Sequence, residues 1–241
     1  MKTPPWLLVA PGVLEMGRIV VLDPTEAHHL TGALRRRPGD EIVLADGEGW
    51  VAEARLLTIG RGRVEAEVLS LHHEPAPGSD GVTVALAVVG SQHMDWAVHK
   101  AVEVGVLRFV PLETERAQLR RGDVTDRIDH WRRVSKQALK QCRRPWAMDV
   151  TDVVLLNELV ESESKDGVGV VADRNGCAIG ELPEEAGRLL IVGPEGGFTA
   201  DEGELFDRRG WPRLRLGPHV LRSETAAVVG GAMMVARDED R

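Results

Sequence analysis

Apolar and polar residues alternate over short stretches in roughly the first 70 residues of the chain. Runs rich in Val, Ile and Leu are separated by the turn signals RPGD, DGEG and GRG. A period of two is typical of strands that bury one face. The pattern predicts strands at residues 18–23, 41–46, 50–59 and 63–71, with one helical segment that opens at Asp23-Pro24-Thr25. Several short strands in so few residues indicate a small barrel.

The pattern changes after residues 72–81, which contain prolines and glycines but no apolar run and which we interpret as a linker. Continuous apolar runs then predict buried strands at residues 82–89, 107–112, 168–173, 188–193 and 214–217. Segments between or after them predict helices at residues 94–105, 128–142, 199–210 and 223–237. Buried strands that alternate with helices form a parallel sheet covered on both faces. We therefore expect two domains, residues 1–72 and residues 73–241.

Two of these helices have recognisable N-terminal signals. Thr199 is predicted as an N-cap, with Glu202 three residues later completing a capping box, and Gly210 ends the same helix. Ser223 is predicted to cap the last helix. Each of these helices follows a loop that comes directly after a predicted strand. Ligands bind at such loops in parallel sheets.

The first of these loops reads GPEGGF, residues 193–198. It lacks both glycine-rich phosphate signatures and has no lysine nearby, and Glu195 would repel a phosphate. Two interpretations stay open. The glycines provide a tight turn with positive φ at Gly196 or Gly197, or they let the backbone approach an uncharged or cationic part of a ligand.

The second loop reads LGPHVLRSETA, residues 216–226. Ser223 and Glu224 suit the first turn of a helix, where a carboxylate faces the positive end of the helix dipole. Arg222 does not, because it places a cation at that same end. This position indicates that Arg222 has an anionic partner, either a carboxylate or a substrate anion.

Net charge is −8, which by itself disfavours a nucleic-acid partner. The distribution of charge changes this picture, since residues 116–144 contain ten Lys or Arg against three Asp, and Arg35, Arg36 and Arg37 form a second cluster. Solvated helix faces and an RNA-binding surface both remain possible from these runs.

Cysteine usage and apolar runs bear on location. The two cysteines, Cys142 and Cys177, are typical of a reducing cytosol, and no Cys/His spacing resembles a zinc site. The apolar run at residues 6–10 is too short for a secretory signal, and no run reaches the length of a membrane span. We expect a cytoplasmic protein with no metal and no membrane association.

At the two loops the sequence resembles the RsmE family of bacterial 16S ribosomal RNA methyltransferases, which modify uridine at N3 and belong to the SPOUT superfamily. The matching segments run in family order through nearly the whole chain: residues 28–49, 94–117, 141–144, 193–202 and 214–226. The pairing of GPEGGF with LGPxxLRxETA is specific to this family.

The resemblance implies an N-terminal PUA-like β-barrel that binds RNA and a C-terminal SPOUT α/β domain with a trefoil knot. It also implies a homodimer that uses S-adenosylmethionine to methylate 16S rRNA in the small ribosomal subunit. The residues implied for the cofactor are Gly193, Pro194, Glu195, Gly196, Gly197, Leu216, Gly217, Val220, Leu221 and Arg222. RNA binding is assigned to the arginines at 35–37, to Arg116, and to Arg143 and Arg144.

For catalysis we assign Arg222 to stabilise charge on the uracil oxygens or to hold a phosphate. Glu224, or alternatively Glu195, is a candidate proton acceptor, and His219 is the one histidine that lies in a cofactor loop. The chain departs from the family pattern at Gly90 and His93, where family members often have cations. Alternative functions are methylation of another RNA or of a ribose 2′-OH, or RNA binding without catalysis.

Overall fold

The computed structural model describes residues 3–60, 63–77, 81–119, 121–162 and 168–239. The chain divides into two compact units, one comprising Met1–Pro77 with Leu139–Ala147 and the other comprising Gly78–Ala138 with Met148–Arg241. The segment Leu139–Ala147 thus returns to the first unit, which a single boundary after residue 72 does not describe. The predicted domains 1–72 and 73–241 stay a prediction. Within the described ranges, no helix combines the length and the apolar character that a membrane span requires.

The first unit contains a five-stranded sheet in the order β1-β3-β4-β5-β2. Strand β1 runs parallel to β3, and the other neighbours are antiparallel. The bounds are β1 Trp6–Leu8, β2 Ile19–Val21, β3 Glu41–Ala45, β4 Trp50–Gly60 and β5 Arg63–His73. The four predicted strands are confirmed. The sequence does not predict β1, since three residues make no period-two pattern and its pairing with β3 is a tertiary contact.

Helix α1, Pro24–His28, begins where Asp23 accepts hydrogen bonds from the backbone of Thr25 and Glu26, at 2.8 and 3.0 Å. A π-helical turn, His29–Ala33, follows it. The alternating residues of the strands bury one apolar face, as the sequence predicts. The core of this unit includes Leu7, Leu30, Ile42, Leu44, Ala52, Ala54, Leu56, Val64, Ala66 and Val68.

The linker predicted at residues 72–81 begins too early. His72 and His73 end β5, where they pair with Val51 and Trp50 of β4. The ring of His73 also packs against Trp50, with centroids 4.7 Å apart. These contacts extend the strand through a segment whose composition is typical of a loop. Residues 78–80 of the predicted linker lie outside the described residues.

The second unit contains a seven-stranded parallel sheet in the order β12-β10-β11-β6-β7-β8, with β9 also paired to β7. The strands are β6 Thr83–Ala87, β7 Arg108–Glu113, β8 Asp149–Val150, β9 Val154–Leu155, β10 Val170–Cys177, β11 Leu189–Val192 and β12 Arg213–Leu214. All four residues of β11 are buried, which explains its uninterrupted apolar sequence. The predicted parallel sheet is confirmed, although the last strand is shorter than residues 214–217.

The helices of the second unit are α2 Ser91–Glu103, α3 Arg121–Val124, α4 Ile128–Cys142, α5 Leu156–Ser162, α6 Ala200–Arg208 and α7 Ser223–Glu239, with the end of α4 assigned to the first unit. The capping box of α6 is confirmed: Thr199 Oγ1 accepts from the Glu202 N–H at 3.3 Å, and Glu202 Oε2 accepts from the Thr199 N–H at 2.8 Å. Gly210 ends this helix at φ +65°.

The predicted cap of α7 is wrong. The helix already includes Ser223, and the backbone oxygen of Arg222 accepts from the Ala226 N–H at 2.8 Å. An N-cap residue provides the first accepting carbonyl of its helix, so that position belongs to Arg222 and Ser223 is the first helical residue. Helix α2 also starts earlier than predicted, at Ser91 rather than residue 94.

Candidate functional site

Strands β6, β7, β10 and β11 are neighbours in the parallel sheet, so the loops that follow them meet at one edge. The loop after β7 forms hydrogen bonds with the loop after β6 and with the loop after β11. The amide oxygen of Gln118 accepts from the Gly90 N–H after β6 at 3.1 Å. Arg116 Nη1 donates to the backbone oxygens of Gly196 and Phe198 at 2.9 and 3.4 Å. These bonds connect the Gly90 loop to the glycine-rich loop after β11.

The glycine-rich loop, residues 193–198, is a turn in which the Gly197 N–H donates to the Pro194 oxygen at 2.8 Å. Gly197 has φ +67°, which confirms the predicted positive φ at one of the two glycines. A Cβ on Gly193 would lie 2.9 Å from the ring of Phe198, so a side chain is excluded there. The loop therefore presents backbone rather than side chains at its start.

A cavity of about 550 Å³ lies between this loop and the segment before α7. Nine of the ten residues assigned to the cofactor line it, namely Gly193, Pro194, Glu195, Gly196, Gly197, Leu216, Gly217, Val220 and Leu221. Arg222 is the tenth, and it is not among the lining residues. His219 does line the cavity. The two sequence loops thus form one site.

A third segment of the cavity wall, Ala172–Asn175 in β10, was not predicted as part of the site. Asp173 Oδ2 lies 3.8 Å from Arg213 Nη1, and Arg213 Nη2 is 2.7 Å from Asp207 Oδ1 of α6. The signal that could have identified this segment is the predicted strand at residues 168–173, whose carboxyl end meets the same sheet edge. The sequence does not show that β10 and β11 are neighbours in the sheet, and for this reason the segment was not predicted.

The two residues assigned to catalysis differ in their surroundings. Arg222 is exposed, and its guanidinium has no hydrogen bond or ion pair with any described residue. The carboxylate partner that its position at the helix end suggested is therefore not found among those residues. Glu224 Oε1 lies 2.9 Å from Nδ1 of His93, and its side chain is 10% exposed, whereas that of His93 is 48% exposed.

The arginines assigned to RNA binding are divided between the units. Arg35, Arg36, Arg37, Arg143 and Arg144 belong to the first unit, and Arg116 belongs to the second. Arg36 Nη2 donates to the Thr3 oxygen at 3.0 Å. Burial lowers the pKa of the Arg144 guanidinium, and the nearby Cys142 partly offsets this effect.

Other cations of residues 116–144 have partners within their own units. Arg132 Nη2 lies 3.0 Å from Asp152 Oδ1, and Lys140 Nζ lies 2.7 Å from the buried Glu26. These two side chains therefore have structural roles. Arg120 lies outside the described residues. In the part of the chain that the structure describes, no three His, Cys, Asp or Glu residues are grouped to hold a metal ion.

Comparison with known proteins finds that two parts of the chain match domains of RNA methyltransferases. Residues 77–235 match the model of an RNA methyltransferase domain, and residues 22–69 match that of an RNA methyltransferase PUA domain. The chain is 33% identical over 224 residues to ribosomal RNA small subunit methyltransferase E of Mycobacterium tuberculosis, covering 89% of this chain and 85% of that protein. It is 29% identical over 213 residues to the Aquifex aeolicus protein of the same name, covering 88% and 92%.

A crystal structure of ribosomal RNA small subunit methyltransferase E from Neisseria gonorrhoeae, bound to S-adenosyl methionine, superimposes with a TM-score of 0.85 at 28% identity, covering 98% of each chain. These similarities confirm the predicted fold class, a PUA-like β domain followed by a SPOUT α/β domain. The trefoil knot stays a prediction. The match over most of the chain and the agreement in fold mean that this chain belongs to the ribosomal RNA small subunit methyltransferase E family, as its two loops predict.

Proposed function

We propose that this chain uses S-adenosylmethionine to methylate N3 of a uridine in 16S ribosomal RNA of the small ribosomal subunit. The observation that carries the proposal is the cavity, because it unites nine cofactor residues that the sequence places in two separate loops. The names of the mycobacterial and Aquifex relatives support a ribosomal RNA substrate. The bound molecule in the Neisseria structure supports the methyl donor.

The residues around the cavity suit S-adenosylmethionine in size and charge. A volume of about 550 Å³ lies within the range of roughly 300–1,000 Å³ found for small-molecule sites. Val192, Leu216 and Leu221 offer apolar surface to an adenine ring. Glu195 and Asp173 offer carboxylates to the cationic groups of the molecule, and the exposed peptide groups of the glycine-rich loop can bond to its polar edges.

S-adenosylmethionine supplies, when bound, an electrophilic methyl carbon, and the electron pair of the C–S bond returns to sulfur as the methyl leaves. Arg222 donates to a uracil oxygen or fixes a phosphate, since its exposed guanidinium has no partner among the described residues. Glu224, with Glu195 as the alternative, takes part in removing the N3 proton. Arg35, Arg36, Arg37, Arg116, Arg143 and Arg144 bind RNA phosphates.

The same proposal includes the roles of the two domains, the oligomeric state and the location of the protein. The first domain, residues 1–72, binds RNA, and residues 73–241 carry the reaction. The protein acts as a homodimer in the cytoplasm. Its two cysteines, far apart in sequence, are typical of such a reducing compartment.

The experiment is methylation of small ribosomal subunits from a strain that lacks the modification, followed by mass spectrometry of the nucleosides. We expect N3-methyluridine, formed only when S-adenosylmethionine is present. A 2′-O-methylated nucleoside would replace the proposed reaction with the alternative one. Calorimetry with S-adenosylmethionine is the companion measurement, and absence of binding would leave an RNA-binding protein without catalysis.

A further inference from the structure

His93 and Glu224 form a hydrogen-bonded pair between the first turn of α2 and the first turn of α7. Nδ1 of the imidazole lies 2.9 Å from Oε1 of the carboxylate. The carboxylate side chain is 10% exposed, while that of the histidine is 48% exposed. The pair therefore has a buried inner end and a ring that solvent can reach.

The chemistry of the partner determines the protonation pattern of the ring. A carboxylate only accepts hydrogen bonds, so the ring nitrogen that faces it must carry the proton. In the neutral imidazole, the other nitrogen, Nε2, is then unprotonated and has a free lone pair. No described residue bonds to Nε2. The ring is thus held in the tautomer that a proton acceptor needs.

The position of the pair relative to the cavity follows from the contacts at the sheet edge. Ser223, next to Glu224, lines the cavity. The backbone oxygen of Gly90, three residues before His93, accepts from the His93 N–H at 2.9 Å. The Gly90 loop is in turn connected through Gln118 and Arg116 to the glycine-rich loop. Glu224 is therefore next to a residue of the cavity wall, and His93 is joined to the glycine-rich loop through hydrogen bonds of the loop after β7, although neither side chain lines the cavity itself.

We propose that His93, oriented by Glu224, accepts the N3 proton of the target uridine; this inference rests on the function proposed above. The N3–H bond breaks, its proton bonds to Nε2, and the electron pair left on N3 forms the new bond to the methyl carbon. The resulting imidazolium is stabilised by the Glu224 carboxylate, and it loses its proton to solvent because the ring is half-exposed. Glu224 then acts through His93 instead of contacting the base itself.

The charged groups around His93 are consistent with this role. Among the described residues of α7, Glu224 is the charged group that contacts the ring. On α2, Asp95 is engaged elsewhere, with its Oδ2 2.9 Å from Nε2 of His130 on α4. Gln118 of the loop after β7 is uncharged. Among the described residues, the ring thus has one ionic partner, on the side away from its free nitrogen.

The test compares the native enzyme with His93→Gln, with small subunits as substrate. We expect the variant to lose about 100-fold or more in kcat, the usual contribution of a general base, with KM changed far less. The defect should shrink as pH rises, because the imide nitrogen then ionises without help. Affinity for S-adenosylmethionine, measured by calorimetry, should stay within about twofold. Glu224→Gln keeps an acceptor but removes the charge, and should lose less activity than His93→Gln.

A second readout does not depend on activity. Nitrogen-15 NMR of the imidazole, recorded on the protein alone at a pH where the ring is neutral, should show the His93 proton on Nδ1. Replacement of Glu224 by Ala should shift this population toward the Nε2-protonated form, which is the more common one in free histidine.

His99→Gln is the matched control. His99 lies six residues further along α2, about 9 Å at 1.5 Å per residue, and its Nδ1 is 3.0 Å from Glu103. It is expected to keep native kcat. If native enzyme makes N3-methyluridine and His93→Gln matches His99→Gln in rate and pH profile, His93 is not the proton acceptor and the proposed function stands. An Nε2-protonated ring would also overturn the inference. If the native enzyme forms no N3-methyluridine, the proposed function fails and the inference falls with it.

Discussion

The side chain of Arg116 donates from Nη1 to the backbone oxygen of Gly196 over 2.9 Å, which joins the loop after β7 to the glycine-rich loop that lines the cavity. A second bond reaches the oxygen of Phe198 at 3.4 Å. The glycine-rich loop is short of side-chain anchors, since glycines occupy three of its six positions. Arg116 thus supplies from outside a restraint that the loop lacks.

Replacement of Arg116 by Ala should therefore weaken binding of S-adenosylmethionine. The loop is exposed at this point, so we expect a loss below the roughly 1.5–3 kcal/mol of charged hydrogen bonds, about 1 kcal/mol or roughly fivefold in Kd. Calorimetry measures this directly. Arg133→Ala is the control, because that exposed side chain also donates to a backbone oxygen, Asp129 at 3.2 Å, but on α4. Unchanged affinity in Arg116→Ala, with weaker RNA binding, would assign the arginine to RNA alone.

Two glycines near the cavity should respond oppositely to alanine. Gly197 has φ +67°, where a Cβ costs about 1–2 kcal/mol even though no atom crowds it. Gly203 lies inside α6 with ordinary helical geometry and open space, so alanine should stabilise by up to about 1 kcal/mol. Urea unfolding of both variants without ligand tests the pair. Equal effects of the two changes would mean that the turn at Gly197 adapts to a side chain.

Local patterns in the sequence predicted the two loops that line the cavity, and distant contacts account for the part of the wall that they missed. The capping box of Thr199 and Glu202 lies within four residues, so its signal is complete in the sequence. The wall formed by Ala172–Asn175 depends on which strands are neighbours, and that order is set by the whole sheet.

The same limit applies to single side chains. The pair of His93 and Glu224 joins helices far apart in the chain, and no periodicity brings two such residues together. Ser223 was misassigned as a cap because its residue type suits the cap and the first turn alike. Only the bond to the Arg222 carbonyl distinguishes the two positions.

Arg222→Ala should separate catalysis from cofactor binding. Because the residue does not line the cavity, we expect the Kd for S-adenosylmethionine to change by less than about twofold. Loss of a donor to a developing oxyanion typically costs about 100- to 1,000-fold in kcat. Stability should change by less than about 0.5 kcal/mol, as for an exposed side chain without partners. Arg215→Ala, an exposed cation in the preceding segment, is the comparison for kcat.

A kcat that survives in Arg222→Ala, in a folded protein, would remove this residue from the catalytic assignment. A raised Kd with native kcat at saturation would instead make Arg222 a cofactor ligand. The two measurements together therefore distinguish the two roles that the sequence assigned to it.

Lys140 and Glu26 form a largely buried ion pair in the first unit, 2.7 Å from Nζ to Oε1. Replacing Lys140 with Met leaves a buried carboxylate without its counter-charge, so we expect a loss of about 3 kcal/mol in unfolding free energy. Adding Glu26→Met removes the orphaned charge and should recover most of that loss. A double-mutant cycle by urea unfolding gives the coupling. Simple additivity of the two single changes would show that the pair contributes nothing as a pair.

Arg143 allows stability and RNA binding to be changed in opposite directions. Its backbone has φ +58°, a region that costs a residue with a Cβ about 1 kcal/mol or more, whereas glycine adopts it freely. Arg143→Gly should therefore leave the protein equally stable or up to about 1 kcal/mol more stable, although glycine also has a more flexible unfolded chain. If the exposed guanidinium contacts an RNA phosphate, the same change should weaken RNA binding and lower the slope of log Kd against log salt concentration by about 0.7 to 0.9.

Arg143→Asn is the matched variant, since asparagine also tolerates this backbone region and likewise removes the charge. Both variants should show the same reduced salt slope, measured by fluorescence anisotropy with 16S rRNA fragments. An unchanged slope in both would exclude a phosphate contact at this position, whatever happens to stability. A reduced slope in the glycine variant alone would attribute the effect to backbone flexibility. The asparagine variant lacks the charge as well, so an unchanged slope there would show that the charge is not the cause.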